Sequence, residues 1–418
     1  PPVKTAEPRV DAARLERRLG ELAKIGRDAR GGLSRFAFTP AHAEACLLVA
    51  DWMRAAGLRP FLDPAGNLTG LDRDDAPAIA AGSHLDTVPM GGRLDGALGV
   101  VAAVECAQAI REHGVRLRHP LAVLAFADEE GNTFGVGCLT SRALVGDLSP
   151  NRMAAIRDAE GRSLADRVAA WACPLPRGEP ARVAAFVELH IEQGPRLDAE
   201  GLDLAAATAI AGISRTTVTF IGAANHAGTT PMAMRRDALW GASALVLEVR
   251  RLALATAGEA VGTVGRVEAE PGSTNVVPGK ALVRVELRSG RETLLETLRA
   301  GVEAAARRLA ADYGLEAIVD PWDHAPAVPL HPGLHAIALE AAASRGLRAI
   351  SMPSWAGHDA KVLAPHVPTA LLFVPSVGGI SHAPDEHTAP SHLAAGAQVL
   401  LDVLCRLDDN LNAPGRLG

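Results

Sequence analysis

Side chains able to hold a metal ion or move a proton recur in this chain where apolar runs end. The first such stretch is Gly82-Ser83-His84-Leu85-Asp86-Thr87-Val88-Pro89, followed by Gly91-Gly92-Arg93-Leu94-Asp95-Gly96. Ala78 to Ala81 before it reads as a short buried strand, and Gly96 to Ile110 after it is apolar at helical spacing without proline. The polar residues therefore sit where a strand ends and a helix begins, the usual address for ligands in an open α/β sheet. One His and two Asp there make a set of metal-ligand candidates. The stretch by itself equally suits Asp95 as a helix cap and His84 as a loop histidine.

The next strand, Leu121 to Ala127, runs into Asp128-Glu129-Glu130. Adjacent carboxylates repel each other unless a cation or a shared proton relieves them. Solvated loop acids are the alternative, and the matching position at a strand end weighs against it. Val183 to Val187 leads into Glu188-Leu189-His190-Ile191-Glu192-Gln193. Glu188, His190 and Glu192 share one face if the strand continues, so each is a candidate ligand or a partner to one. The last strand, Ala370 to Val374, precedes Gly378-Gly379-Ile380-Ser381-His382, where His382 is a further candidate.

The elements that must position these groups form two patterns. At 418 residues the chain is too long for one ordinary core. Asp11 to Ile25 and Ala41 to Ala56 read as helices, and Leu58 to Leu71 as short strands around a turn. Ser141 to Val145 and Ser163 to Ala172 read as short helices, with Asn151 to Arg162 as loop. After Gly212-Ile213-Ser214, read as a break, the order becomes βαββαβ: strands at 216–221, 261–268, 281–287 and 315–319, with helices at 235–255 and 292–313. That is a ferredoxin-like split pair of roughly 110 residues, large enough to fold by itself. The expectation is an α/β catalytic domain (residues 1–213 and 326–418) interrupted by an inserted domain (214–325). Helices at 333–344 and 393–407 belong to the second catalytic segment.

Inside the insert, Asn225-His226-Ala227-Gly228 and Gly272-Ser273-Thr274-Asn275 are loops, and Arg288 ends a strand. Amide, imidazole and guanidinium groups suit a carboxylate and a carbonyl oxygen. From pattern alone Asn275 reads as ordinary turn chemistry, and His226 stays open.

Composition excludes several classes. Hydrophobic residues make up 48% and charged residues 22%, as in a globular protein. The formal charge of -6 gives no pull toward nucleic acid, and no aromatic and basic stripe is present. The five cysteines are scattered without a CxxC, which suits a reducing cytoplasm. Pro1 to Val10 has no signal-peptide core, and no apolar run reaches the ~18 residues of a membrane span.

With these residues in view, the chain resembles the amidohydrolases that include N-carbamoyl-L-amino acid hydrolases, allantoate amidohydrolases and β-ureidopropionases, relatives of the aminoacylase and carboxypeptidase-type di-zinc peptidases. The resemblance rests on GSHLDTVPMGGRLDGALG, DEEGNTFG, ELHIEQGP, NHAGTTPM, STNVVPGK, AGHDA and GISHAPDE, in that order from residue 82 to residue 386. It implies a mixed-sheet di-zinc-peptidase-like catalytic domain with an inserted lid and dimerisation domain. It implies two divalent ions, zinc first, with manganese, cobalt or nickel as substitutes. Asp95 would bridge them, His84 and His190 completing one site and Glu130 and His382 the other. Asp86 would orient His84 through its far nitrogen, and Glu129 would be the general acid/base. Gln193, His226, Asn275, Arg288, Gly357 and His358 would bind substrate, and a lid histidine such as His226 can act across a homodimer. In the wider peptidase group a carboxylate usually stands at position 190, so His190 points to the amidohydrolase branch. Glu286, where relatives often have Asp, is a departure beside Arg288. The implied substrate is a small ureido compound with a carboxylate, either a carbamoyl-amino acid or allantoate. DGALGV leans toward the first, and STNVVPGK and AGHDA toward the second. A peptidase or aminoacylase, and a metal-binding scaffold without turnover, are the remaining readings; His190 speaks against the former and Glu129 against the latter.

Overall fold

The computed structural model describes residues 7–411, so Pro1 to Ala6 of the stretch read for a signal peptide lie outside the described residues. The chain divides into two units, residues 1–208 with 330–352 and 356–418, and residues 209–329 with 353–355.

The first unit is built on a mixed sheet. Its strands follow the order Arg59–Leu62, Leu68–Leu71, Leu121–Phe126, Ala78–His84, Val183–Ile191, Thr369–Val374 and Leu204–Ile210. The strands Leu121–Phe126, Ala78–His84, Val183–Ile191 and Thr369–Val374 are mutually parallel. Every residue of Ala78–His84, Leu121–Phe126 and Thr369–Val374 is buried. Such runs do not alternate because helices cover both faces. The Ala97–Glu112 helix is buried along almost its whole length. Each of its valines taken from water stabilises the fold by about 1.5–3 kcal/mol. A Cβ at Gly99 would lie 2.5 Å from the Leu189 carbonyl, so glycine lets this helix sit directly on the central strand. Because four strands run the same way, their C-terminal ends open on one edge, and the chemistry-bearing residues leave from that edge.

The second unit has the antiparallel order Glu316–Val319, Gly212–Ile221, Lys280–Ser289, Ala260–Glu270. The helices Ala238–Leu254 and Glu292–Tyr313 supply Leu245, Val249, Leu295, Leu298 and Val302 to a core with Phe220, Val283, Val285 and Leu287. Lys280–Ser289 alternates buried and open residues, as a strand covered on one face must.

Several expectations change. Gly212-Ile213-Ser214 is no break: it begins the Gly212–Ile221 strand, paired with Ser289, Arg288 and Leu287. The second unit accordingly starts earlier than residue 214, and it extends to residue 329. Asn151 to Arg162 is not all loop. Ser149 accepts the Arg152 N–H and Pro150 opens a short helix, Pro150–Ala155. The Ala78 strand continues to His84, and Leu204–Ile210 and Ala349–Ser354 are strands that apolar alternation did not mark. Among the described residues no helix is long and apolar enough to cross a membrane.

Candidate metal centre

Each candidate ligand of the first unit stands at or just beyond the end of one of the parallel strands, or at the mouth of the helix behind them. His84 is the last residue of its strand and His190 the penultimate one of the next. Glu129 and Glu130 follow Leu121–Phe126, and His382 follows Thr369–Val374. Asp95 precedes the Ala97–Glu112 helix. Gly96 between them has φ of 65°, and a Cβ there would meet the His84 ring at 2.4 Å. Glycine is therefore what lets the loop close on the imidazole.

The ligand atoms converge on Asp95. Its Oδ1 lies 3.4 Å from His84 Nε2 and 3.1 Å from His190 Nε2. Its Oδ2 lies 3.2 Å from His382 Nε2, which is 3.4 Å from Glu130 Oε1. Two three-residue sets able to hold an ion thus share Asp95: His84, Asp95 and His190, and Asp95, Glu130 and His382. Glu129 Oε2 is 3.7 Å from His84 Nε2. Asp128, Gln193 and His382 all carry positive φ, so strained backbone gathers at this site.

The donor chemistry fits a cation. His84 Nδ1 lies 3.0 Å from the Asp86 carbonyl and His190 Nδ1 lies 2.8 Å from the Ile191 carbonyl. A ring nitrogen facing a carbonyl carries the proton, so in the neutral rings each Nε2 offers a lone pair. Both face Asp95 Oδ1, and His190 Nε2 also accepts the Gly96 N–H at 3.2 Å. Asp95 Oδ1 and Glu130 Oε1 are buried without a hydrogen-bond partner. Acceptors facing acceptors in a buried pocket need a positive charge between them.

The electrostatics say the same in protons. Burial alone would lower His84, but Glu129, Asp95 and Asp86 push it well above its ordinary value. The bond to Asp95 raises His382 to about 9. Burial, then the Asp95 charge, raises Glu130 to about 7, and burial lifts Glu129 well above the usual range. Burial works to raise Asp95, yet the three imidazoles hold it well below its ordinary value.

A family model for peptidase family M20/M25/M40 matches residues 80–406. The chain belongs to that family. M20 enzymes are metal-dependent, and the clusters around Asp95 are the candidate places for an ion in this member. The chain is 37% identical to an N-carbamoyl-L-amino acid amidohydrolase of Geobacillus stearothermophilus, over 95% of this chain and 99% of that one. It is 36% identical to the allantoate amidohydrolase of Escherichia coli strain K12, over 94% and 97%. An amidase of the hydantoinase/carbamoylase family from Burkholderia multivorans superposes with a TM-score of 0.89 at 35% identity, covering 96% of this chain and 98% of that one. Like these M20 relatives, the chain is a hydrolase, and its fold is the mixed-sheet α/β fold of the family.

Within this M20 site some residues lie elsewhere than the sequence placed them. The far nitrogen of His84 is taken by the backbone carbonyl of Asp86; the Asp86 carboxylate is 3.8 Å away. That carboxylate instead accepts the N–H groups of Glu129 and Glu130, both at 3.2 Å, and so fixes their backbone. Glu192 is not in the cluster, because the strand stops at Ile191. Its carboxylate accepts the N–H groups of Arg196 and Leu197 and caps a short helix. Glu188 accepts from Ser83 Oγ at 2.6 Å and from Ala360 N at 2.9 Å, behind His190. Gln193 Nε2 donates to Asp95 Oδ2 at 2.9 Å. His358 is buried edge-on to His190 at 4.6 Å, and Gly357 before it is exposed.

His226, Asn275 and Arg288 belong to the second unit. His226 pairs with Val276 across a two-residue ladder, and the Ala227 N–H donates to the Asn275 carbonyl. His226 Nδ1 accepts the N–H groups of Gly228 at 3.0 Å and Thr229 at 3.3 Å, so its proton sits on Nε2. Arg288 donates through Nε to Glu286 at 2.7 Å and through Nη1 to the Trp355 carbonyl at 2.9 Å. Glu286 thus grips the guanidinium, and also Arg215 at 2.7 Å.

Three residues of the site were missed by sequence reasoning. Glu386 Oε1 accepts the N–H groups of Leu94 at 2.8 Å and Asp95 at 3.1 Å. Ser381 Oγ reaches both Glu386 Oε2 and Asp95 Oδ2. Both lie in GISHAPDE, where proximity to His382 was the available signal. Cys138, whose thiol reaches Glu129, carried none.

Proposed function

We propose that this M20 enzyme hydrolyses the ureido C–N bond of an N-carbamoyl-L-amino acid, giving the free amino acid, CO2 and ammonia. The observation that carries the reading is Asp95. Its two oxygens face separate imidazole sets, with a second buried carboxylate, Glu129, beside them. That arrangement supports two ions per chain, zinc first and manganese, cobalt or nickel as substitutes, since His and carboxylate ligands suit all of them.

His84, Asp95, His190, Glu130 and His382 would hold the divalent ions, which when bound would supply Lewis-acid activation of water and of the scissile carbonyl. The chain's own residues do the rest. Glu129 accepts a proton from the attacking water through Oε2 and returns it to the departing nitrogen. Burial raises its proton affinity, which favours taking up the proton. Gln193 and Ser381 hold Asp95 in place by donating to Oδ2. His226, protonated on Nε2, is assigned to the developing oxyanion. Arg288, with its plane fixed by Glu286 and Trp355, offers its remaining N–H groups to the substrate carboxylate, assisted by Asn275. Gly357 and His358 are assigned to substrate binding.

Allantoate also joins a ureido group to a carboxylate, and the similarity to the Escherichia coli enzyme supports it as a second reading. The five cysteines are all free and suit a reducing compartment, so we assign the protein to the cytoplasm. A homodimer through the second unit is supported by Ala260–Glu270, an edge strand with Val261 and Val267 exposed. The deciding experiment is ammonia release by the metal-loaded protein from a panel of N-carbamoyl amino acids, allantoate and ureidoglycolate. Hydrolysis of dipeptides or N-acyl amino acids, with no ammonia from any ureide, would sink the proposal.

A further inference from the structure

We propose that Cys138 is a positioning residue for Glu129: its thiol holds one carboxylate oxygen so that the other is presented to the reacting water. The inference rests on the role just given to Glu129. Cys138 Sγ donates to Glu129 Oε1 at 3.2 Å, while Glu129 Oε2 turns toward His84. The same cysteine donates its backbone N–H to the Glu129 carbonyl at 2.8 Å, and the Glu129 N–H is anchored on Asp86 at 3.2 Å. Glu129 is thus fixed at its N–H, its carbonyl and one side-chain oxygen, and its second side-chain oxygen faces the cluster.

The local backbone is arranged for this contact. Cys138 closes the loop that leaves the Leu121–Phe126 strand and stands in the left-handed region, with φ of 53°, as the residue before the Leu139–Leu144 helix. A non-glycine residue is held there only when its surroundings require it. The thiol is buried, and burial with the Glu129 charge pushes it well above its ordinary value, so it stays an S–H donor. A thiol is a weak donor. Its contribution is to select the Glu129 rotamer.

The test uses the full, metal-loaded chain with an N-carbamoyl amino acid. Cys138→Ala is expected to lower kcat about tenfold, the rate equivalent of one ordinary hydrogen bond, with KM and bound metal unchanged. Cys138→Ser, which keeps a donor on a shorter bond, is expected to recover kcat to within about threefold of the parent. Equal kcat in Cys138→Ala and parent overturns the proposal, and so does an equal fall in both variants. A loss of metal or a rise in KM in Cys138→Ala makes the cysteine structural and also overturns it. Infrared spectroscopy reads the contact without turnover. The S–H band assigned to Cys138 by its loss in Cys138→Ala should move to higher frequency in Glu129→Ala; an unmoved band refutes the contact. If the parent releases no ammonia from any ureide, the assigned reaction fails while the infrared result still decides the hydrogen bond.

Discussion

Replacing Glu386 by alanine removes the side chain that accepts the backbone N–H groups of Leu94 and Asp95. The N–H groups of Leu94 and Asp95 both donate to Glu386 Oε1, and Ser381 Oγ lies 3.0 Å from Oε2. Leu94 and Asp95 are buried, so both N–H groups lose their acceptor away from bulk water. An orphaned buried donor costs about 1–3 kcal/mol, giving about 2–6 kcal/mol for the pair. Two effects reduce it. Water entering the vacated space can accept from the N–H groups, and a like charge beside Asp95 is removed. The expected loss is about 2–4 kcal/mol in urea denaturation of the metal-free protein. The second readout is calorimetric titration with Zn2+ or Mn2+, where loss of a residue that orients a ligand weakens affinity about 10–100-fold. Glu386→Gln keeps one carbonyl for both N–H groups and should lose under about 1 kcal/mol. The reasoning is refuted if Glu386→Ala is as stable as the parent. It is equally refuted if stability falls while metal affinity holds, since Glu386 would then not set the position of Asp95.

Glu129→Gln should keep its metal content and lose about 10²–10⁴ in kcat, because it can neither accept nor return the proton; metal analysis beside a turnover assay checks this, and full activity removes Glu129 from the mechanism. Arg288→Ala should raise KM for carboxylate-bearing ureides at least about tenfold with a smaller change in kcat, and Arg288→Lys should recover little because a single ammonium lacks the planar fork. An unchanged KM would take Arg288 out of substrate binding. A pH effect on stability comes from His42, stacked on Trp171 at 4.9 Å with Nδ1 accepting the Phe38 N–H. Burial, then the Arg35 charge, lowers it from 6.5 to about 3. Between those values the unfolded chain binds the extra proton, so stability falls as pH drops through that window, by up to about 1.4 kcal/mol per pH unit. His42→Asn should flatten that limb of a urea-midpoint profile; an unaltered slope shows that other groups set it.

What could be read from the sequence, and what could not, divides along physical lines. Apolar runs mark the parallel strands because strands covered on both faces must be continuously apolar, and an imidazole or carboxylate at the end of such a run is conspicuous. His84, Glu130, His190 and His382 are visible in this way, and the fold gathers their ligand atoms around Asp95. Alternation failed where it needed the strand to continue. Glu192 has the spacing of Glu188 and His190, but the chain turns after Ile191 and spends that carboxylate on two backbone N–H groups. Backbone partners explain the other gaps as well. Asp86 takes the amides of Glu129 and Glu130 where the family resemblance implied the imidazole, and Glu386 takes an amide 292 residues away. Every residue except proline offers the same N–H, so a carboxylate that serves one leaves no complementary residue type for the sequence to display. Ligands of a metal are legible as a chemical set; the side chains that aim those ligands bond to the featureless part of the polymer. For this reason Glu386 emerges as a support of Asp95 only once the chain is folded, while Ser381 and Cys138 emerge then because only folding sets them against the side chains of Asp95 and Glu129.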